Sequence, residues 1–125
     1  ELWEYHRRTG GIGTVTVFDI EDPTHSGLVD VAEDGCIRRF VEKPSPSEVF
    51  GNTVNAGIYV LEPRVLDYIP AGAFCDFGRE VFPRLLETGE VLYAYRTQDP
   101  VAGLDTGEMY QRAVAAVSEG RFRLP

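Results

Sequence analysis

Hydrophobic and polar positions along the chain change their period several times, and each change marks an element. The run TVTVFDI from Thr14 to Ile20 is dense in β-branched residues, alternates in part and stops at Glu21-Asp22-Pro23, which cannot continue a sheet. That pattern predicts a buried strand. Gly27 to Ala32 and Cys36 to Val41 are two shorter strand-like runs, separated by Glu33-Asp34-Gly35, where Asp-Gly supplies the positive φ of a tight hairpin. Val54 to Leu61 (VNAGIYVL) is nearly continuously apolar, as a central strand is, and Val91 to Thr97 (VLYAYRT) predicts another strand.

Helical spacing occupies the remainder. Leu2, Trp3 and Tyr5 stand among Glu and Arg, and Thr9-Gly10-Gly11 closes the stretch, so residues 1–8 predict the end of a helix. Pro63 suits a first helical turn, with Val65, Leu66 and Ile69 as the inward face and Pro70-Ala71-Gly72 as the stop. Asp76 can cap a further helix whose Phe77, Val81 and Phe82 face inward before Pro83 kinks or ends it, and Leu85 and Leu86 continue that face to Gly89. Tyr110, Ala113, Val114 and Val117 predict a closing helix, Glu108 to Ser118, packed on the sheet. Lys43 to Asn52, rich in Pro, Ser and Gly, reads as a loop. Strands and helices mix without strict alternation, which predicts an α/β fold whose mixed sheet is flanked by helices and carries a protruding β-hairpin.

Composition narrows the function classes. A formal charge of -8 with a pI near 4.7 excludes a general polyanion binder, since nucleic acid must be met by a basic face. An anionic substrate has to be held locally. With no apolar run long enough to span a bilayer and no signal segment in the sequence, the expectation is no membrane association and a cytoplasmic address. Cys36 and Cys75 lack metal-ligand spacing and read as buried thiols. His6 and His25 have no catalytic partner in the pattern and read as surface or loop residues.

Three places can carry chemistry. Glu42-Lys43-Pro44 follows directly on an apolar strand, where α/β folds place ligands, although such a pair also suits a solvated turn. Asn55 enters an apolar strand and needs hydrogen-bond partners; it either ties neighbouring loops together or serves a hydroxylated ligand, with Gly57 leaving the pocket wall open. Asp105 in GLDTG fits either a ligand to a hard cation or a helix N-cap. Gly10-Gly11-Ile12-Gly13 precedes a strand rather than a helix, the reverse of anion capture at a helix start, and reads as a turn.

In order, FVEKP (Phe40–Pro44), NAGIYVLEP (Asn55–Pro63), VLDYIP (Val65–Pro70), DFGREVFPRLL (Asp76–Leu86) and LDTG (Leu104–Gly107) resemble the second half of the sugar-1-phosphate nucleotidyltransferases. That group includes mannose-1-phosphate guanylyltransferases and glucose-1-phosphate thymidylyltransferases, and the likeness covers nearly the whole chain. It implies the C-terminal part of a Rossmann-like nucleotidyltransferase fold, with residues 1–125 as the sugar-phosphate half of a domain. By the same resemblance Glu42 would accept hydrogen bonds from sugar hydroxyls and Lys43 would meet the phosphate as a charge-assisted donor. Asn55 and Gly57 would line the sugar pocket, Gly27 would contribute backbone contacts, and Asp105 would be one of two aspartates holding Mg²⁺, with Lys43 and Asp105 as the catalytic pair. The implied partners are a sugar 1-phosphate and a nucleoside triphosphate, and the resemblance is compatible with a homo-oligomer.

Three departures stand out. The family's glycine-rich triphosphate-binding signature, with its Arg and Lys, and the second metal-binding aspartate are not in this sequence, so the chain alone is expected to be inactive. Ser26 stands where many relatives have Tyr, and the segment after Asp105 is shortened. NAGIYVLEP and VLDYIP lean toward guanylyl transfer to mannose 1-phosphate; LDTG leans toward thymidylyl transfer. A glucose-1-phosphate thymidylyl- or uridylyltransferase is the neighbouring alternative, and a non-catalytic regulatory or binding module the alternative from another class.

Overall fold

The computed structural model describes residues 1–122. Its centre is a five-stranded sheet in the order β3-β2-β4-β1-β5, formed by β1 (Gly13–Asp19), β2 (Gly27–Val31), β3 (Ile37–Glu42), β4 (Thr53–Leu61) and β5 (Leu92–Arg96). β1 runs parallel to β5 and antiparallel to β4, so the sheet is mixed, as the pattern predicted. β2 and β3 form the hairpin, with Gly35 at φ 85 in its turn, and the Asp34 carboxylate accepts from the Cys36 N–H at 3.0 Å. The hairpin tip is anchored rather than free. The Ala94 N–H donates to the Gly35 carbonyl at 2.8 Å, joining the turn to β5.

Alternation along β1 sorts the two faces. Val15 and Val17 are fully buried on one side, together with Ile12, Phe40, Val65, Val81, Phe82, Leu85 and Leu92. Thr14 points to the other side and meets helix α1 (Leu2–Thr9), where the His6 ring contacts the Thr14 hydroxyl at 2.9 Å and Glu62 at 3.2 Å. His6 is 2% exposed, which corrects the expectation of a surface residue. Its partners lie 8 and 56 residues away, and a ring so flanked can be buried without an unsatisfied nitrogen. Cys36 and Cys75 are free and only partly buried, short of the buried thiols expected.

The helical segments differ in kind from the sequence reading. Pro63–Tyr68 is a 3₁₀ helix; its three-residue repeat aligns Val65 with Tyr68 toward the core and leaves Leu66 exposed, where an α-helix would have turned Leu66 inward. Phe77–Val81 is a π-helical turn leading into the short helix α2 (Phe82–Glu87). Pro83 is the cause. In an α-helix its ring would clash with the carbonyl four residues back, and the wider turn removes that overlap while the Phe82 N–H still finds the Phe77 carbonyl.

The closing helix α3 (Gly107–Ser118) turns Ala116 inward, whereas Tyr110, Val114 and Val117 are 53%, 46% and 41% exposed. The apolar stripe expected to cover the sheet thus faces away from it. Ala113 is half-buried and Ala116 buried, and the bulky stripe lies about a third of a turn around.

Four aromatic rings fasten the π turn and α2 to the sheet. Phe82 sits at their centre, 5.3 Å from Phe40 of β3, 5.0 Å from Tyr59 of β4 and 5.7 Å from Phe77. We expect Phe82→Ala to lower unfolding free energy by about 3–5 kcal/mol, the scale for emptying a buried aromatic site. Urea titration reads this directly, and an unchanged midpoint would remove Phe82 from its central place.

Candidate functional site

The site grows from the open end of the hairpin. Gly27 begins β2 and Glu42 ends β3, and the two are register partners, so the strand pairing itself fixes the Glu42 backbone. Beyond Glu42 the chain leaves the sheet abruptly. Lys43 has φ 49, a left-handed conformation that costs a non-glycine residue about 1–2 kcal/mol. Its N–H donates to the Ser26 carbonyl at 2.9 Å, and the buried Pro44 follows, which together hold the turn while the Lys43 side chain remains in solvent.

Glu42, Asn55, Tyr59, Phe74, Cys75, Asp76, Phe77 and Gly78 line one cleft of ≈ 390 Å³. Burial raises the Glu42 carboxyl above its ordinary range, and the nearby Asp76 carboxylate pushes the same way; Lys43 and Arg79 oppose both. Asp76 is itself the cap of the π turn, accepting from the Arg79 N–H at 2.8 Å. Burial also raises the Tyr59 hydroxyl, against a hydrogen bond from Asn55 that lowers it.

Asn55 makes its hydrogen bonds within its own strand. Its Nδ2 donates to the Tyr59 hydroxyl at 2.7 Å and its Oδ1 accepts from the Gly57 N–H at 2.8 Å. Both bonds span a bulge of β4, where Ala56, Gly57 and Ile58 oppose Thr16 alone, and Gly57 takes φ 76 there. Gly57 is exposed and lines no part of the cleft, so its glycine serves the bulge. Asn55 keeps one donor hydrogen and one acceptor lone pair for a ligand.

Asp105 lies elsewhere. It is exposed, in the segment between β5 and α3, and Thr106 rather than Asp105 caps α3 by accepting from the Met109 N–H at 3.2 Å. Asp105 is not among the residues lining the Glu42 cleft. Among the described residues no group of three His, Cys, Asp or Glu side chains could hold a metal ion, so the residues present do not make a cation site by themselves. No helix among them is long and apolar enough to cross a membrane.

The structure thus brings Glu42, Gly27 and Asn55 together with Lys43 beside them, and leaves Gly57 and Asp105 outside. It adds Tyr59, Asp76 and Gly78. For Gly78 the sequence did carry a signal, a glycine in the interior of a helical pattern, where it is unfavourable without a packing reason.

Comparison with known proteins places the chain. The Nucleotidyl transferase family model matches residues 1–115, and the chain belongs to that family. It is 43% identical over 94 residues to the mannose-1-phosphate guanylyltransferase catalytic subunit beta of Drosophila pseudoobscura pseudoobscura, covering 75% of this chain and 24% of that protein. It is 38% identical over 91 residues to the UTP–glucose-1-phosphate uridylyltransferase of Synechocystis, covering 71% of this chain and 24% of the relative. The yeast mannose-1-phosphate guanyltransferase is 38% identical over 97 residues, 76% of this chain and 26% of its own length. The chain therefore spans about a quarter of these relatives. A Bacillus anthracis structure described as a glucose-1-phosphate thymidylyltransferase in complex with sucrose superposes with a TM-score of 0.78 at 20% identity, covering 98% of this chain and 49% of that one, and shows the shared fold.

The raised Glu42 carboxyl has a consequence for stability. A carboxyl that holds its proton more tightly folded than unfolded contributes most below its unfolded value, and that contribution is lost as pH rises through the folded value. At neutral pH the ionised Glu42 therefore works against folding. We expect Glu42→Gln to raise Tm at pH 7, with the gain shrinking as pH falls toward 4.5, the ordinary carboxyl value. A lower Tm at pH 7 would contradict it.

Proposed function

We propose that this chain supplies the sugar-phosphate-binding side of a sugar-1-phosphate nucleotidyltransferase, with mannose 1-phosphate as the leading substrate. The observation that carries the proposal is the half-buried Glu42 carboxylate, facing a cleft with Asn55 and the Tyr59 hydroxyl while Lys43 projects from the next position. A carboxylate accepts from vicinal hydroxyls, and an ammonium in the same turn meets a phosphate through a charge-assisted contact. The kinked Lys43 backbone fixes the spacing between these two groups. Mannose is favoured because two of the three relatives are mannose-1-phosphate guanylyltransferases, and glucose 1-phosphate is the alternative the third supports.

In the complete reaction a sugar-phosphate oxygen attacks the α-phosphorus of a nucleoside triphosphate and pyrophosphate leaves. Residues of this chain bind and orient the nucleophile, so their share is positioning and charge neutralisation. Asp105 is the residue of this chain that would contribute a carboxylate to Mg²⁺ in the complete domain. When bound, Mg²⁺ supplies charge neutralisation at the phosphates. Lacking the glycine-rich triphosphate-binding signature, these 125 residues bind without turnover. The position of Asp105 outside the Glu42 cleft favours the same view of the isolated chain as a binding unit.

Isothermal calorimetry with mannose 1-phosphate, glucose 1-phosphate and inorganic phosphate tests the reading. We expect binding of a sugar phosphate, weakened in Lys43→Ala by about 1.5–3 kcal/mol, the scale of a hydrogen bond to a charged group. Equal affinity in wild type and Lys43→Ala would take Lys43 out of the site.

A further inference from the structure

We infer that Gly78, at the π-helical turn, is a positioning residue: with Gly27 it forms a seat without side chains that holds the Glu42 carboxylate at the cleft. The seat can be measured by building the missing carbon. A Cβ on Gly78 would lie 2.6 Å from Glu42 Oε2 and 3.4 Å from its Cδ, and one on Gly27 would lie 2.8 Å from the same oxygen. Both distances are shorter than real Cβ contacts allow, so the carboxylate occupies space that only two glycines leave open. Both glycines are buried.

Each glycine touches something different besides Glu42. A Cβ at Gly27 would come within 2.9 Å of two carbons of the Phe40 ring, which belongs to the buried core and has little room to move. At Gly78 the nearest Phe40 carbon is 3.2 Å away, and the only severe overlap is with the far end of the Glu42 side chain. That end can swing outward. Gly78 is not among the positive-φ residues, so its backbone accepts alanine without strain, and alanine is the better helix former by about 1 kcal/mol. Besides the carboxylate, the Phe40 ring at 3.2 Å would have to give by a few tenths of an ångström. The added methyl displaces the carboxylate and presses on Phe40, a small strain that the gain in helix propensity offsets.

This inference rests on the reading of Glu42 as a sugar-binding group for its functional readout, and on geometry alone for its structural one. Gly78→Ala is therefore examined in the full chain by thermal denaturation, by carbon-13 titration of the Glu42 carboxyl, and by calorimetry with mannose 1-phosphate and glucose 1-phosphate. The expected result is a Tm close to that of wild type, a Glu42 titration moved toward that of an exposed carboxyl, and sugar-phosphate affinity at least about tenfold weaker, as for loss of a hydrogen bond to a charged group. Glu42→Asp provides a second reading. Its shorter side chain withdraws from the seat, so adding Gly78→Ala to it should change affinity less than about twofold, against the tenfold loss in the Glu42 background.

Unaltered Glu42 titration in Gly78→Ala would overturn the seat, as would a Tm loss with the carboxyl unmoved. If the wild-type chain binds neither sugar phosphate while the titration still moves, the seat stands and the sugar-binding reading of Glu42 falls.

Discussion

The packing of Phe82 against the sheet is the constraint on which the site depends. Phe82 is fully buried between Phe40 of β3 and Tyr59 of β4, and it carries the π turn that precedes it into a fixed place beneath the hairpin end. Asp76 and Gly78 reach the Glu42 cleft only because of that docking. Offset and edge-on ring contacts of this kind add about 0.5–1.5 kcal/mol each beyond the area they bury, and they also set a direction of approach. Pro83 contributes by forcing the wide turn. One proline thereby shapes both the entry to α2 and the floor of the cleft.

A partly desolvated carboxylate beside a second carboxylate is unfavourable in the free protein, and Glu42 is placed so. Lys43 and Arg79 offset part of that cost. Under the proposed reading, hydroxyl donors from a bound sugar would offset more. Neighbouring strand ends are locked separately: Arg96 of β5 pairs with Asp19 of β1, and Thr53 of β4 donates to the same Asp19 carboxylate at 2.7 Å. Three strands are tied at the end of the sheet where the cleft opens.

Much of the fold was legible in the sequence because strand periodicity and turn chemistry are local. The Asp34-Gly35 hairpin, β1, β4 and β5 followed from alternation and bounding residues, and Glu42, Lys43 and Asn55 stood out as polar groups against apolar runs. What was not legible depends on contacts distant in sequence. The buried state of His6 requires Thr14 and Glu62, and the orientation of α3 depends on which of two adjacent stripes meets the sheet. Gly78 could be read as a weak helix residue, but its reason, an oxygen of Glu42 arriving from another strand, exists only in three dimensions. The bulge that occupies Asn55 and Gly57 likewise arises from register against Thr16, which composition does not encode.

The most direct test of the central claim, that the hairpin end and the π turn form one ligand-binding seat, is amide chemical-shift mapping of the full chain during titration with mannose 1-phosphate. The prediction is that the largest saturable shifts fall on Gly27, Glu42, Lys43 and Gly78, with α3 unaffected and inorganic phosphate perturbing Lys43 alone. Shifts concentrated on α3, or a pattern for the sugar phosphate identical to that of inorganic phosphate, would contradict it.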